Sequence, residues 1–493
     1  VIFSALDQLL TDLAASTNSL VAAGRSIQTT SKEGISIMRM TLAMALLALA
    51  TFGLVAASRS SSSGDRAGRF VVHEWGTFTS FSGSDGVKLE FRPLADVDLP
   101  PFVVNRPRQA GSLDLFSKGN LNVLQRMETP VTYFYTDRPL EAKVRIDFPQ
   151  GLLTEFFPPV ENMEPAFDWE RPEKVSRSAL DWGKVWLIPQ DCLQANVHSA
   201  ELGARLNARI LKRLFPAAAP DDHYARARET DSDLVYVERA VDPKHPQAPQ
   251  GGFFEKFLFY RGVGNFELPL RLSTDGDDRF ELRNLGPDVI RSLFLVTVDG
   301  DELRFRSYAG IGAGERLTMV QSTRTSSVDE LCQSVTAALV AEKLYEKEAL
   351  AMVNTWRNSW FGEQGTRLFY LLPAALTNEI LPLAIEPQPA ETVRVMVGRM
   401  EIMRPADETW IMALVKQSAQ DRDRAAQASA EAGEAQPYAL PQAVIDLGRL
   451  AEPALTRVKN ISQDAVVRAE SEQLLFELRQ YREALTQAQS ASR

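Results

Sequence analysis

The stretch FVVHEWGTFTSF, residues 70–81, decides the fold. It is filled with β-branched and aromatic residues. SGSDG (82–86) follows as a turn, and VKLEFR (87–92) alternates apolar with polar, so the sequence predicts a β-hairpin here. In a strand, successive side chains point to opposite faces. His73 therefore groups with Val71, Trp75 and Thr77, and Glu74 with Val72, Gly76 and Phe78 on the more apolar face. A carboxylate on that face needs a cation, for which Arg228 and Arg367 are the candidates.

Working outward, strands are expected at 131–135, 142–148, 184–188, 234–238, 256–261 and 267–272. Further hairpins turn at TDGDD (274–278) and at Asp299-Gly300. One helix interrupts them, with Leu202, Leu206, Ile210 and Leu214 on one stripe beside Arg205, Arg209 and Arg213. Ser327-x-x-Glu330 is a capping box that opens a single long amphipathic helix to about Trp356; strands follow at 366–372 and 392–402. Beyond Pro405 the pattern is helical, and 417–436 reads as a frayed helix or linker. The expected class is α+β. An antiparallel, β-sandwich-like domain covers 70–322, a long helix plus strands 323–404, and a helical module 405–493.

The N-terminal part reads as targeting sequence. MRM (38–40), an apolar run (41–54) and Val55-Ala56-Ala57 make residues 38–57 a signal peptide, with the mature chain starting near Ser58 and a flexible tether at 58–69. The alternative is an uncleaved anchor. Residues 1–37 are expected to be an untranslated leader or disordered, since the sequence opens on Val1 and Lys32-Glu33-Gly34 is codable by a ribosome-binding sequence. The net charge of −10 argues against a nucleic-acid partner. Only Cys192 and Cys332 are present, and whether they pair is open.

Candidate chemistry is sparse. His73 and Glu74, with Glu229, Glu363 and Arg367, are the candidate catalytic groups; Trp75, Trp356 and Trp360 are candidate ligand-stacking residues. The four histidines have no metal-ligand spacing, so no metal or other cofactor is implied. Asp275, Asp277 and Asp278, with Asp299, Asp301 and Glu302, are weak calcium candidates that also suit ordinary hairpin turns. There is no GxSxG, SxxK or P-loop.

The blocks FVVHEWGTFTS (70–80), ETPVTYFY (128–135), ARETDS (227–232), EKFLFYRG (255–262) and EQGTRLFYLLP (363–373) resemble those of a group of uncharacterised bacterial exported proteins. The resemblance implies secretion and one continuous architecture, and transfers no catalytic residue. ALPQAVIDLGRLAEPAL (439–455) with DAVVRAESEQLL (464–475) resembles a single HEAT-type repeat. The expected function is an extracytoplasmic, periplasmic or secreted, binding or scaffolding protein for a protein or polysaccharide partner. The alternative is a secreted hydrolase with a non-standard carboxylate/Arg/His site.

Overall fold

Phe70–Ser82 forms one strand, β1, buried along its whole length. The computed structural model describes residues 69–93, 99–111, 121–168, 170, 174–193, 214–218, 223–276, 278–432 and 438–491. The expected leader, the signal peptide, the tether up to residue 68, most of the 202–214 helix and Asp277 lie outside the described residues.

After β1 come β2 (Lys88–Leu89), β3 (Val104–Asn105), β4 (Gln125–Thr136), β5 (Leu140–Phe148), β6 (Gly151–Phe157), β7 (Asn162–Glu164) and β8 (Ser178–Ile188). Then follow β9 (Leu234–Arg239), β10 (Gly251–Glu255), β11 (Leu258–Gly264), β12 (Leu270–Thr274), β13 (Arg279–Asn284), β14 (Ile290–Asp299), β15 (Glu302–Ile311) and β16 (Arg316–Val320). The last strands are β17 (Thr325–Ser326), β18 (Gly365–Leu371), β19 (Leu383–Glu386) and β20 (Glu391–Ile402). The longer helices are α1 (Val328–Ala341), α2 (Glu346–Phe361), α3 (Pro405–Ala432), α4 (Ala451–Ile461) and α5 (Ala465–Ala491).

The large sheet has the order β17-β15-β14-β18-β20-β1-β4-β11-β6-β3, and the smaller ones β10-β9-β8-β5-β19 and β12-β13-β16. Among the described residues every strand pairing is antiparallel except β1 with β20, which run parallel from Val71↔Glu391 to Ser82↔Ile402. The expected hairpin is only two residues deep, Phe81↔Leu89 and Ser82↔Lys88. The reason is that β1 already has a partner on each side along its length, β20 on one and β4 on the other. The boundary drawn between 322 and 323 is likewise crossed by hydrogen bonds, because β18 pairs with β14 and β20 with β1.

One face of the large sheet packs on both smaller sheets through Val72, Phe78, Met127, Tyr260, Met396, Val144, Trp182, Leu272 and Phe280. The other face is covered by helices. α1 and α2 lie over Trp75, Val131, Phe369 and Val395, whereas α3, α4 and α5 cover Phe81, Leu152 and Val263. The fold is α+β, as its alternating strands and later helical periodicity dictate. In the C-terminal module, Ala454, Val467, Leu474 and Leu478 close against Ile411 and Val415 of α3. Among the described residues no helix is long and apolar enough to cross a membrane.

The single helix expected from Val328 to Trp356 is instead a helical hairpin. Lys343 adopts φ 75, Lys343 N–H donates to Val340 O and Leu344 N–H to Leu339 O, the two bonds of a Schellman stop. That position is usually glycine. A lysine there leaves the helical pattern of the sequence unbroken while the backbone turns.

Candidate functional site

The alternation of β1 places His73 beneath the α1–α2 hairpin and Glu74 against the smaller sheets. Each finds a partner far along the chain. Glu348, in the first turn of α2, sits with Oε2 2.7 Å from His73 Nδ1 and accepts from Tyr345 N–H at 2.8 Å. Its Oε1 accepts from the Tyr135 hydroxyl at 2.6 Å. An ionised carboxylate only accepts, so Nδ1 carries the proton. The Tyr345 ring lies 4.3 Å from the imidazole, and its hydroxyl accepts from Arg69. Burial and the neighbouring Glu348 carboxylate push the Tyr135 hydroxyl well above its ordinary pKa, so it stays a donor.

Glu74 pairs with Arg394, which is neither of the two arginines expected. Arg394 Nε donates to Oε2 at 2.7 Å and Nη2 lies 2.6 Å from the same oxygen, while Oε1 accepts from Thr132 and Tyr260. Arg228 is engaged by Glu255 and Arg367 by Glu401. Between the two faces, Gly76 permits a close approach at the β1/β4 register shift. A Cβ there would meet Met396 Sδ at 2.8 Å and Pro130 Cα at 3.0 Å.

A third arrangement was not singled out by sequence. Where the cover of α1–α2 meets that of the C-terminal module, a belt of charge crosses the large sheet on its helix-covered face. It comprises Arg126 and Glu128 of β4, Arg261 of β11, Arg367 of β18, and Arg399 and Glu401 of β20. Glu363, from the turn after α2, accepts from Arg399 Nη2 at 2.7 Å and from Arg449 Nη2 at 2.9 Å, Arg449 belonging to the C-terminal module. Arg367 donates to Glu401 and also to the carbonyls of Trp360 and Gln364, closing the end of α2. Burial alone would raise Glu128, but Arg126, Arg449, Arg399 and Arg261 outweigh it and bring its carboxyl down to about 2. Burial would raise Glu401 too, and Arg367, Arg399 and Arg449 hold it below its ordinary value.

One sequence signal was available. Arg-Met-Glu occurs at 126–128 and again at 399–401, on the two strands that flank β1. Strand alternation sends both methionines into the inter-sheet core and both Arg/Glu couples to the opposite face.

No two of the five candidate catalytic residues are hydrogen-bonded to each other, and only Glu363 and Arg367 share a network, the charge belt, through Arg399 and Glu401. His73 holds Glu348, Glu74 holds Arg394, Glu363 holds Arg399 and Arg449, Arg367 holds Glu401, and Glu229 pairs with Arg226 on the surface. Trp75, Trp356 and Trp360 are buried, the last two stacked on each other at 6.4 Å, so none presents a ring to a ligand in solvent. Asp275, Asp299 and Asp301 are exposed in hairpin turns, and no three metal-competent side chains converge among the described residues. Cys192 and Cys332 are free thiols.

No family model and no curated protein matches the chain. Among solved structures, the yeast delta-COP-I mu-homology domain complexed with a Dsl1 WxWxV peptide is similar at 8% identity and TM-score 0.23, over 69% of this chain and 100% of that one. The Danio rerio Fcho1 Mu homology domain with bound Eps15 peptide is similar at 7% identity and TM-score 0.23, over 68% and 95%. Likenesses at that TM-score decide neither fold nor function.

Proposed function

We propose that the chain is an extracytoplasmic binding or scaffolding protein for a protein partner, one of the exported proteins that share the HEWGTFTS block. The observation that supports this reading is the pairing pattern. Every acid or base that sequence nominates for catalysis is engaged by an oppositely charged or hydrogen-bonding group, and most of these contacts lie beneath the surface. A catalytic site needs such groups convergent on one reacting atom. The burial of the three tryptophans favours protein over polysaccharide, since stacking on a sugar needs an open ring face.

One arrangement favours the hydrolase alternative. A carboxylate orienting a histidine through Nδ1 is two-thirds of a nucleophile–base–orienter set, and Glu348 and His73 form it. Among the described residues no hydroxyl or thiol is bonded to the other ring nitrogen to complete it.

The test is cross-linking of the exported chain in its own cells, followed by separate purification of whatever is captured. A protein that rebinds the purified chain at fixed stoichiometry supports the reading. Turnover of any member of an ester, glycoside and peptide panel, abolished by Glu348→Gln, overturns it. For the export component, a reporter fused after residues 38–57 should leave the cytoplasm and be cut before Ser58; a reporter retained in the cytoplasm overturns that component.

A further inference from the structure

We propose that the charge belt contains a site for a small oxyanion, a carboxylate or a phosphate, seated on Arg399 and Arg449. Glu363 takes one Nη2 of each arginine on each of its oxygens and so fixes the two guanidiniums side by side. Their Nη1 groups are buried and have no hydrogen-bond partner. Arg399 is 0% exposed, and the second nitrogen is no better served, since Arg449 Nη1 comes only within 3.7 Å of Glu128 Oε2. The Thr77 hydroxyl, 0% exposed, also lacks a partner, and it lies on the same face of the sheet, paired with Val397 two residues before Arg399.

Buried polar hydrogens are nearly always satisfied, and a charged donor left bare is the most unfavourable case. Three such groups, from β1, β20 and the turn before α4, are an acceptor's outline. Paired guanidiniums recognise a planar carboxylate or a phosphate through parallel N–H···O bonds. Access is from the side of Glu363 and Arg449, whose side chains are 36% and 19% exposed. The site stands apart from the partner-binding reading, and its test reads a small ion alone.

The exported chain is titrated calorimetrically with inorganic phosphate and, separately, with succinate at low ionic strength. Saturable binding of one ion is expected, weakened about 10-fold by Arg449→Gln. Arg449 is partly exposed, so that variant should fold; its melting curve checks this. Thr77→Val removes the third donor without changing its shape and should weaken binding several-fold while leaving the melting curve in place, which a merely structural hydroxyl would not do. Preference for phosphate or succinate identifies which oxyanion the spacing fits. Absence of binding of both ions at millimolar concentration, or an Arg449→Gln affinity equal to wild type in a folded variant, overturns the proposal. Should Arg449→Gln not fold, the Thr77→Val titration decides alone, and unchanged binding overturns it.

Discussion

Glu348 holds His73 at 2.7 Å across 275 residues of sequence, tying the first turn of α2 to the central strand of the sheet. The same carboxylate accepts from Tyr135 and from the Tyr345 backbone. Replacing it by glutamine turns one acceptor oxygen into a donor facing donors. Glu348→Gln should therefore destabilise the chain by about 1–3 kcal/mol, read from the urea midpoint. An unchanged midpoint would mean that the cluster does not secure the helical hairpin.

The Glu74–Arg394 pair should show strong coupling. Glu74→Ala leaves a buried guanidinium without its counterion and is expected to lose about 3–5 kcal/mol. Removing Arg394 as well should lose clearly less than the two single losses added. A double-mutant cycle measures that difference; additive losses would contradict a direct pair.

Acid stability carries two opposing slopes. Glu128 is lowered from 4.5 to about 2, so its contribution is fully present above 4.5 and is lost as pH falls from 4.5 towards 2. By order of magnitude this is about 3 kcal/mol, and Glu128→Gln should flatten that limb. Asp233 behaves oppositely. Burial, with Asp191 and Asp137 nearby, raises it from 3.8 to about 7 against the opposing hydrogen bonds from Thr136. Between those pH values the unfolded chain has ionised and the folded chain has not, so stability falls as pH rises. Asp233→Asn should abolish this fall and leave the protein more stable at pH 7, as melting curves across that range would show.

Lys343→Gly tests the stop between α1 and α2. The lysine occupies φ 75, where only glycine is unstrained, and against that relief stands the greater freedom of glycine in the unfolded chain. A net gain of about 0.5 kcal/mol is expected. A loss would mean that the lysine side chain makes a contribution of its own.

The legible parts of this fold are those with short-range causes. Alternation in FVVHEWGTFTSF assigns His73 and Glu74 to opposite faces, and the four-residue spacing of Leu474 and Leu478 marks the C-terminal seam. What escaped depends on distant chain. Nothing near Glu74 names Arg394, and nothing near His73 names Glu348, because a long-range pair leaves no local periodicity. Lys343 hides a helix end behind an ordinary helix former. The belt was invisible for a related reason. Arg126 and Glu128 lie outside the strand expected at 131–135, and Arg399 and Glu401 fit the polar side of a strand at 392–402, a side that the helical covers turn inward.

The parallel ladder from Val71↔Glu391 to Ser82↔Ile402 also imposes an order of events. A polypeptide leaves the ribosome or a translocation pore with its amino end first. β1 then emerges with no lasting neighbour on one flank, and that neighbour arrives only after nearly all the other strands have emerged. Until it arrives, a thirteen-residue aromatic and β-branched strand offers bare amides and carbonyls to any other chain. Fragments ending before residue 391 should go to aggregates, and a holding factor that shields the nascent amino end would have its greatest effect during that interval.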